Sequence, residues 1–340
     1  MRRLMIVTNS PSGGGAERSM NLLSNELTKL GHSVSLVPIN SGTPDEVIPA
    51  CEVFPLNRKW NGSLANIIVA YWKFNKIVSS WKPDVIVLNC DLPELFGAML
   101  FGRHSLVALE HTSQPWGQRK SLGKIVRRVL KFRKTTWVAV SHHLTIWPSM
   151  HKPNAVLQNS VLLPKENLNW VIGCEIKRLV FIGRLSHEKR PDLALDIARL
   201  ASLELIMIGD GLMREDLEKK ALNESIIVSF IGWVKNPWSE IQPGDLLIVT
   251  SSFEGDGLIV IEGLAHGIPM LLSNISDLRR FNFPKRNYGE GLEGFVARID
   301  KFRHKLQDLC VPMNISTRII DGRSIEIIAK SWDSFLNQRG

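Results

Sequence analysis

The sequence predicts an α/β fold made of two successive doubly wound units with parallel sheets. Three observations carry that expectation. Short β-branched runs alternate with stretches of helical periodicity, as strands and crossover helices do. The alternation restarts near the middle of the chain. And 340 residues exceed one simple core, since domains hold roughly 100–200 residues each.

In the first half, Leu4–Thr8, Ser33–Ile39, Val85–Asn89, Ser105–Leu109 and Trp137–Ser141 read as buried strands, with helices over Glu17–Leu30 and Leu64–Trp81 between them. The second pass opens with a strand at Arg178–Ile182 and a helix at Pro191–Leu200. Further strands follow at Leu205–Ile208, Ile226–Phe230, Leu246–Thr250 and Met270–Ser273. The boundary falls near Pro164–Trp170. This gives an N-terminal Rossmann-like domain over 1–165 and a second one over 166–322. A last helical stretch, Arg323 to Asn337 within segment 323–340, comes after the second sheet is complete and is expected to cross back to the first domain.

Composition narrows the class. A chain 44% hydrophobic and 22% charged is an ordinary globular one, neither disordered nor collagen-like. No apolar run approaches the ~18–20 residues that a spanning helix needs, and Leu4 to Val7 is too short for a signal-peptide core. Cys51, Cys90, Cys174 and Cys310 are far apart with no CxxC pair, which argues for a reducing compartment and against a disulfide frame or zinc site. A cytoplasmic protein is expected.

The net charge of +9 is unevenly shared. Residues 1–165 carry 20 basic and 9 acidic side chains, the remainder 22 and 24. One half therefore suits an anionic partner. Eight cations without an acid lie between Arg119 and Lys134: Arg119, Lys120, Lys124, Arg127, Arg128, Lys131, Arg133 and Lys134. As a helix, this segment sets Leu122, Ile125, Val126, Val129 and Leu130 in an apolar stripe flanked by cations, the composition of an interfacial helix on anionic lipid. The bland alternative is a helix with a solvated basic face. Nucleic acid is not expected, because no reading motif accompanies the charge.

Four loops carry candidate chemistry. The first strand runs through Ser12-Gly13-Gly14-Gly15-Ala16-Glu17 into a helix, where glycines admit a ligand and free N–H groups favour an anion. It is not the dinucleotide fingerprint: Arg18 stands at the last glycine position, and the second strand ends in Asn40 instead of an acid. The second unit opens with Gly183-Arg184-Leu185-Ser186-His187-Glu188-Lys189-Arg190-Pro191. Arg184 and Lys189, before a helix start, can grip a diphosphate together. Gly209-Asp210-Gly211 is a sharp turn at a strand end. The most informative stretch, Ser251 to Pro269, ends a strand, exposes N–H groups at Gly255 and Gly257, and starts a helix near Leu258. Glu254 lies at the strand's carboxyl edge and Glu262 one turn into that helix, and carboxylates can hold vicinal hydroxyls.

Taken in order, the GGGAE loop, Gly183-Arg184-Leu185 with Glu188-Lys189, Gly209-Asp210-Gly211, and Glu254-x7-Glu262 before His266-Gly267-Ile268-Pro269 resemble the retaining GT-B glycosyltransferases of glycosyltransferase family 4. The resemblance covers essentially the whole chain. It implies a GT-B fold whose two domains face across a cleft, the first taking the acceptor and the second the nucleotide-sugar donor. It further implies that Arg184 and Lys189 bind the donor diphosphate, that Glu262 holds the ribose, and that Glu254 with the backbone of Gly255, Asp256, Gly257 and Leu258 holds the sugar. Gly232 to Lys235, including Val234, would line the base pocket, and Gly14 and Gly15 would approach the donor. His111, in Glu110-His111-Thr112, would position or stabilise the reacting centre; its bland alternative is a structural histidine. His142-His143 reads as structural. The chain departs from the family at Asp256, Arg190 and Gly263, and Asn274-Ile275-Ser276-Asp277 replaces a Gly-Gly-x-x-Glu stretch, which bears on the sugar transferred.

The expected reaction is a retaining, metal-independent transfer. There is no Asp-x-Asp motif, so Arg184, Lys189 and helix N-termini would stabilise the departing diphosphate. The donor would be a nucleotide-diphosphate sugar, most simply a UDP-sugar carrying a hexosyl or N-acetylhexosaminyl group, with no resident cofactor. The acceptor would be a lipid-linked or lipopolysaccharide-type glycan, reached from the inner face of the plasma membrane. A sugar-nucleotide epimerase on the same fold would need no acceptor. A nicotinamide-dependent dehydrogenase would leave Arg184, Lys189, Glu254 and Glu262 without a role. A non-enzymatic binder would lack competent geometry at His111.

Overall fold

The computed structural model describes residues 1–11, 14–42, 49–59, 63–161, 163–164 and 175–338. Ser12, Gly13, Cys174 and the expected boundary stretch 165–170 lie outside them. Along the chain the elements are β1 Arg3–Thr8, α1 Gly15–Lys29, β2 Ser33–Pro38, β3 Glu52–Val53, α2 Leu64–Trp81, β4 Val85–Asn89, α3 Asp91–Met99, β5 Ser105–Glu110, α4 Lys120–Phe132, β6 Thr136–Ala139 and β7 Ala155–Val156. There follow β8 Arg178–Ile182, α5 Pro191–Ala201, β9 Glu204–Ile208, α6 Arg214–Asn223, β10 Val228–Gly232, β11 Asp245–Val249, α7 Leu258–Ala265, β12 Met270–Ser273, α8 Ser276–Arg279, β13 Tyr288–Gly289, α9 Gly291–Phe302, α10 Met313–Ile320 and α11 Ile325–Asn337.

The chain forms two compact units, 1–161 with 323–340, and 162–322. The first holds a parallel sheet in the order β3-β2-β1-β4-β5-β6-β7 and the second one in the order β10-β9-β8-β11-β12-β13. Both orders reverse direction beside their first strand, between β1 and β4 and between β8 and β11. That reversal opens a crevice at the carboxyl edge, where such sheets take ligands. The central strands are apolar on both faces because helices cover both: in β1, Met5 and Val7 join one core cluster and Leu4 and Ile6 another. α11 completes the first unit. Its Ile328, Ala329, Trp332 and Leu336 join the cluster around α1 and β1, and His32 Nε2 lies 2.8 Å from Asp333 Oδ1.

Most expected elements fall within two residues of their observed bounds. The strand expected at Ile226–Phe230 starts two residues later, because the Ile226 N–H donates to Ala221 O and closes the end of α6.

Candidate active site

In the second unit the loops after β8 and β11 flank the crevice, and the backbone laces them together. The Thr250 hydroxyl lies 2.8 and 2.9 Å from the Lys189 and Arg190 carbonyls, and the Ser252 N–H donates to Glu188 O at 2.8 Å. This fixes Lys189 over the end of β11. Its Nζ donates to Glu254 Oε1 at 2.6 Å, and the Ser251 hydroxyl donates to the same oxygen at 2.6 Å. The Glu254 N–H in turn donates to Asp277 Oδ2 at 2.9 Å. Glu254 is buried and Lys189 half-buried, so removing the cation would leave a buried carboxylate short of its charge partner. Arg184 is exposed at the start of the same loop.

The neighbouring strand ends are drawn in as well. The Gly183 N–H donates to Ile208 O, the Gly209 N–H to Gly232 O and the Leu185 N–H to Asp210 O, at 2.8 to 3.0 Å. Gly209 has φ +133°, and a Cβ there would stand 2.0 Å from Gly183 O. No side chain fits at that crossing. We expect Gly209→Ala to cost roughly 1–3 kcal/mol of stability and to displace the Arg184 loop, measurable by urea denaturation and nucleotide affinity.

α7 begins at Leu258 after Gly257, which takes the left-handed conformation at φ +61°. Its first N–H groups therefore face the loop 254–257 with no side-chain cap. Glu262 is half-buried on the next turn. Asp256 is buried, and its carboxylate lies 3.7 Å from Arg280 Nη2, which also donates to Asp256 O at 2.6 Å. This departure from the family pattern thus meets a cation of its own unit. Gly232, with φ +80°, ends β10, and Val234 is half-buried beyond it. His266 stacks on Trp238 with centroids 4.7 Å apart.

In the first unit, His111 follows β5 and its Nε2 meets Asn89 Oδ1 at the end of β4. Burial pushes the imidazole down to about 4, so the ring is neutral near pH 7. With Asn89 Oδ1 as acceptor, Nε2 carries the proton and Nδ1 keeps a lone pair. The Asn89 Nδ2 is buried without a hydrogen-bond partner among the described residues. Gly14 and Gly15 are exposed at the start of α1, after β1. His143 Nδ1 lies 2.8 Å from the Ser141 hydroxyl, next to the end of β6.

One expected surface cation is misplaced. Arg127 belongs to no membrane or acceptor face: it is 3% exposed and clamped between two buried carboxylates. Its Nε and Nη2 donate to Glu94 at 2.9 and 2.6 Å, while Nη1 donates to Glu110 and to Trp147 O. The Trp116 indole N–H also donates to Glu94, at 2.9 Å. The expected apolar stripe likewise divides in two. Val126 and Leu130 join Gly123 and Arg127 on the buried side of α4. Leu122, Ile125 and Val129 form an exposed ridge with Phe132, which is 89% exposed. Arg119, Lys120, Lys124, Arg128 and Lys131 are exposed.

Sequence reasoning missed Asn89, Thr250, Ser251, Asp277, Arg280 and the Glu94–Arg127–Glu110 cluster. Glu94 stands 33 residues from Arg127, and Arg280 stands 24 from Asp256, so no local spacing marks either pairing. The Ser251–Glu254 contact, three residues apart, is the one that local reading could have found.

The sequence profile of "Glycosyl transferases group 1" matches residues 171–287, and that of "Glycosyltransferase Family 4" matches residues 13–145. The chain is 26% identical over 280 residues to an α-1,4-N-acetyl-D-galactosaminyltransferase of Campylobacter jejuni, spanning 78% of this chain and 77% of that one. The full name of that relative specifies a GalNAc-containing glycan on undecaprenyl diphosphate. The lipopolysaccharide 1,6-galactosyltransferase of Escherichia coli is 29% identical over 166 residues, covering 42% of this chain and 45% of that one. Among solved structures, HepE of Anabaena in complex with UDP and glucose superposes with a TM-score of 0.79 at 14% identity, over 99% of this chain and all of that one.

Proposed function

The chain belongs to the GT-B glycosyltransferases of family 4, and from that premise we propose that it transfers a sugar from a nucleotide diphosphate, with retention, to a lipid-linked or lipopolysaccharide-type glycan. The observation that carries the donor assignment is the Lys189–Glu254 pair, 2.6 Å apart between the two loops that flank the β8/β11 crevice. It supports this reading because it would offer a cation to the departing diphosphate and a carboxylate to a sugar hydroxyl.

Arg184 and Lys189 would carry the charge that grows on the departing diphosphate, assisted by the free N–H groups at the start of α7. The donor can recruit Lys189 without leaving Glu254 bare, because Ser251 still donates to that carboxylate and sugar hydroxyls replace the lost contact. Held in this way, Glu254 is a poor covalent nucleophile. The acceptor hydroxyl would therefore attack the anomeric carbon from the face that the diphosphate leaves: the new C–O bond forms as the old one breaks, the diphosphate keeps the electron pair, and the hydroxyl proton departs with it. His111, neutral beside Asn89, would orient the sugar through hydrogen bonds and not as a cation. Glu262 would hold the ribose, and Gly232 to Lys235 would approach the base through the main chain. The two cations make a resident metal unnecessary.

The acceptor reading draws on the relatives named above and on α4. No helix among the described residues is long and apolar enough to cross a membrane. The ridge Leu122, Ile125, Val129 and Phe132 beside Lys120, Lys124, Arg128 and Lys131 suits peripheral attachment to anionic lipid, on the cytoplasmic face where nucleotide sugars are made.

The test is thermal stabilisation by UDP, GDP, ADP and NAD in the presence of a chelator. A nucleotide at about 100 times its Kd adds about 2.7 kcal/mol to the folded state. One nucleoside diphosphate should raise the melting temperature of the wild type and fail to do so for Glu262→Ala. Stabilisation by NAD alone would sink the donor assignment.

A further inference from the structure

We propose that Trp72 and Phe101 form a second lipid-contacting surface beside α4, so that the first unit seats on anionic membrane through an aromatic wedge as well as through its basic helix. The inference rests on the membrane reading above and extends it to surface that α4 does not supply.

α2 leaves Ile68, Val69 and Trp72 exposed on one side, and the end of α3 and the turn after it leave Met99 and Phe101 exposed. Trp72 and Phe101 are each 60% exposed, and their ring centroids lie 5.9 Å apart. This patch is not a loose loop that happens to point outward. The Tyr71 hydroxyl donates to Met99 O, and the Phe101 N–H donates to Asn75 Oδ1 at 3.3 Å. Asn75 is itself buried and fixed by its Nδ2 donating to Tyr71 O at 3.0 Å, while His104 Nε2 meets Phe101 O at 2.8 Å. Four contacts therefore hold the backbone so that an aromatic ring faces water. Large apolar groups grouped in this way mark a binding surface.

Charge selects the occupant. Residues 64–82, 99–109 and 117–136 contain no Asp or Glu but include Lys73, Lys76, Lys82, Arg103 and all eight cations of the α4 segment. Lys73, Lys76 and Arg103 are exposed around the aromatic pair. A second copy of this chain, docked symmetrically, would set these cations against themselves. A bilayer rich in anionic lipid would neutralise them, and its headgroup zone is where Trp side chains settle. The patch is also continuous with the helix already assigned to the membrane: Arg133 Nη2 donates to Gly102 O at 2.7 Å, tying the Phe101 turn to the end of α4 beside Phe132.

The experiment is co-sedimentation with vesicles of phosphatidylcholine alone or with one quarter phosphatidylglycerol. It compares wild type, Trp72→Ser with Phe101→Ser, and, as a control on α4, Ile125→Glu with Phe132→Glu. All the replaced residues are exposed, so melting temperature and nucleotide stabilisation should match the wild type. We expect the wedge variant to bind phosphatidylglycerol vesicles at least about tenfold more weakly than wild type. If only the α4 variant loses binding, the wedge inference falls and the membrane reading stands. If the wild type binds neither vesicle, both fall. If sedimentation analysis shows a wild-type oligomer that the wedge variant abolishes while vesicle binding is untouched, the patch is a protein interface and the inference is overturned.

Discussion

Replacing Arg184 or Lys189 by Ala is expected to lower kcat by roughly 10²–10³-fold each, the size of effect seen when one preorganised charge partner of a leaving or developing anion is removed. The two losses should differ in character. Arg184 is exposed, so Arg184→Ala would chiefly remove the proposed diphosphate contact. Its stability should stay within about 0.5 kcal/mol of wild type, as for most surface changes. Lys189 is the partner of a buried carboxylate. Lys189→Ala leaves Glu254, among the described residues, with the Ser251 hydroxyl and no cation, so the folded protein should lose stability as well as turnover. Lys189→Ala with Glu254→Gln should recover most of that stability and none of the turnover. Kinetics with a radiolabelled donor, beside urea denaturation, separates the two effects. If Arg184→Ala and Lys189→Ala turn over donor at the wild-type rate, the diphosphate lies elsewhere.

The contrast between these two cations shows which parts of the site are legible in sequence. A glycine-bounded loop between a strand and a helix announces itself locally, and Arg184, Lys189, Glu254 and Glu262 can all be placed on such loops or helix starts by counting residues. What local counting misses is who pairs with whom. The Lys189–Glu254 contact spans 65 positions and exists only because the sheet order brings β8 beside β11. The same holds for the fold. Central strands such as Val85–Asn89, buried at all five positions, and Arg178–Ile182, buried at its three middle ones, are unmistakable because such runs have no other use. The edge strands β3, β7 and β13 have two residues each and no period to detect. Arg127 is the instructive failure. In sequence it is one cation among eight, and only the approach of Glu94 and Glu110 from other elements distinguishes it.

Arg127→Met is therefore the substitution expected to harm stability most. Methionine conserves much of the volume but leaves Glu94 and Glu110 buried without their cation, and breaking a buried pair from one side costs about 3–5 kcal/mol. The loss should depend on pH, with a sign set by the carboxyls. Burial raises both above the ordinary range, Glu110 to about 7 even with Arg127 beside it. A carboxyl raised in the folded state adds stability below its unfolded pKa of about 4.5, and that stability is lost as pH rises through the folded value. Without the guanidinium, both carboxyls rise further, so the variant's deficit should be largest above pH 7 and shrink on acidification toward pH 5. Adding Glu110→Gln to Arg127→Met should recover part of the deficit at pH 7.5 and little at pH 5. Urea denaturation at the two pH values measures this directly, and a deficit that is small or independent of pH would mean that the cluster is not held by charge. The consequence reaches the proposed site, because Glu110 is the last residue of β5 and His111 the next. The same guanidinium that anchors the basic helix to the sheet also steadies the backbone from which the candidate sugar-orienting histidine projects.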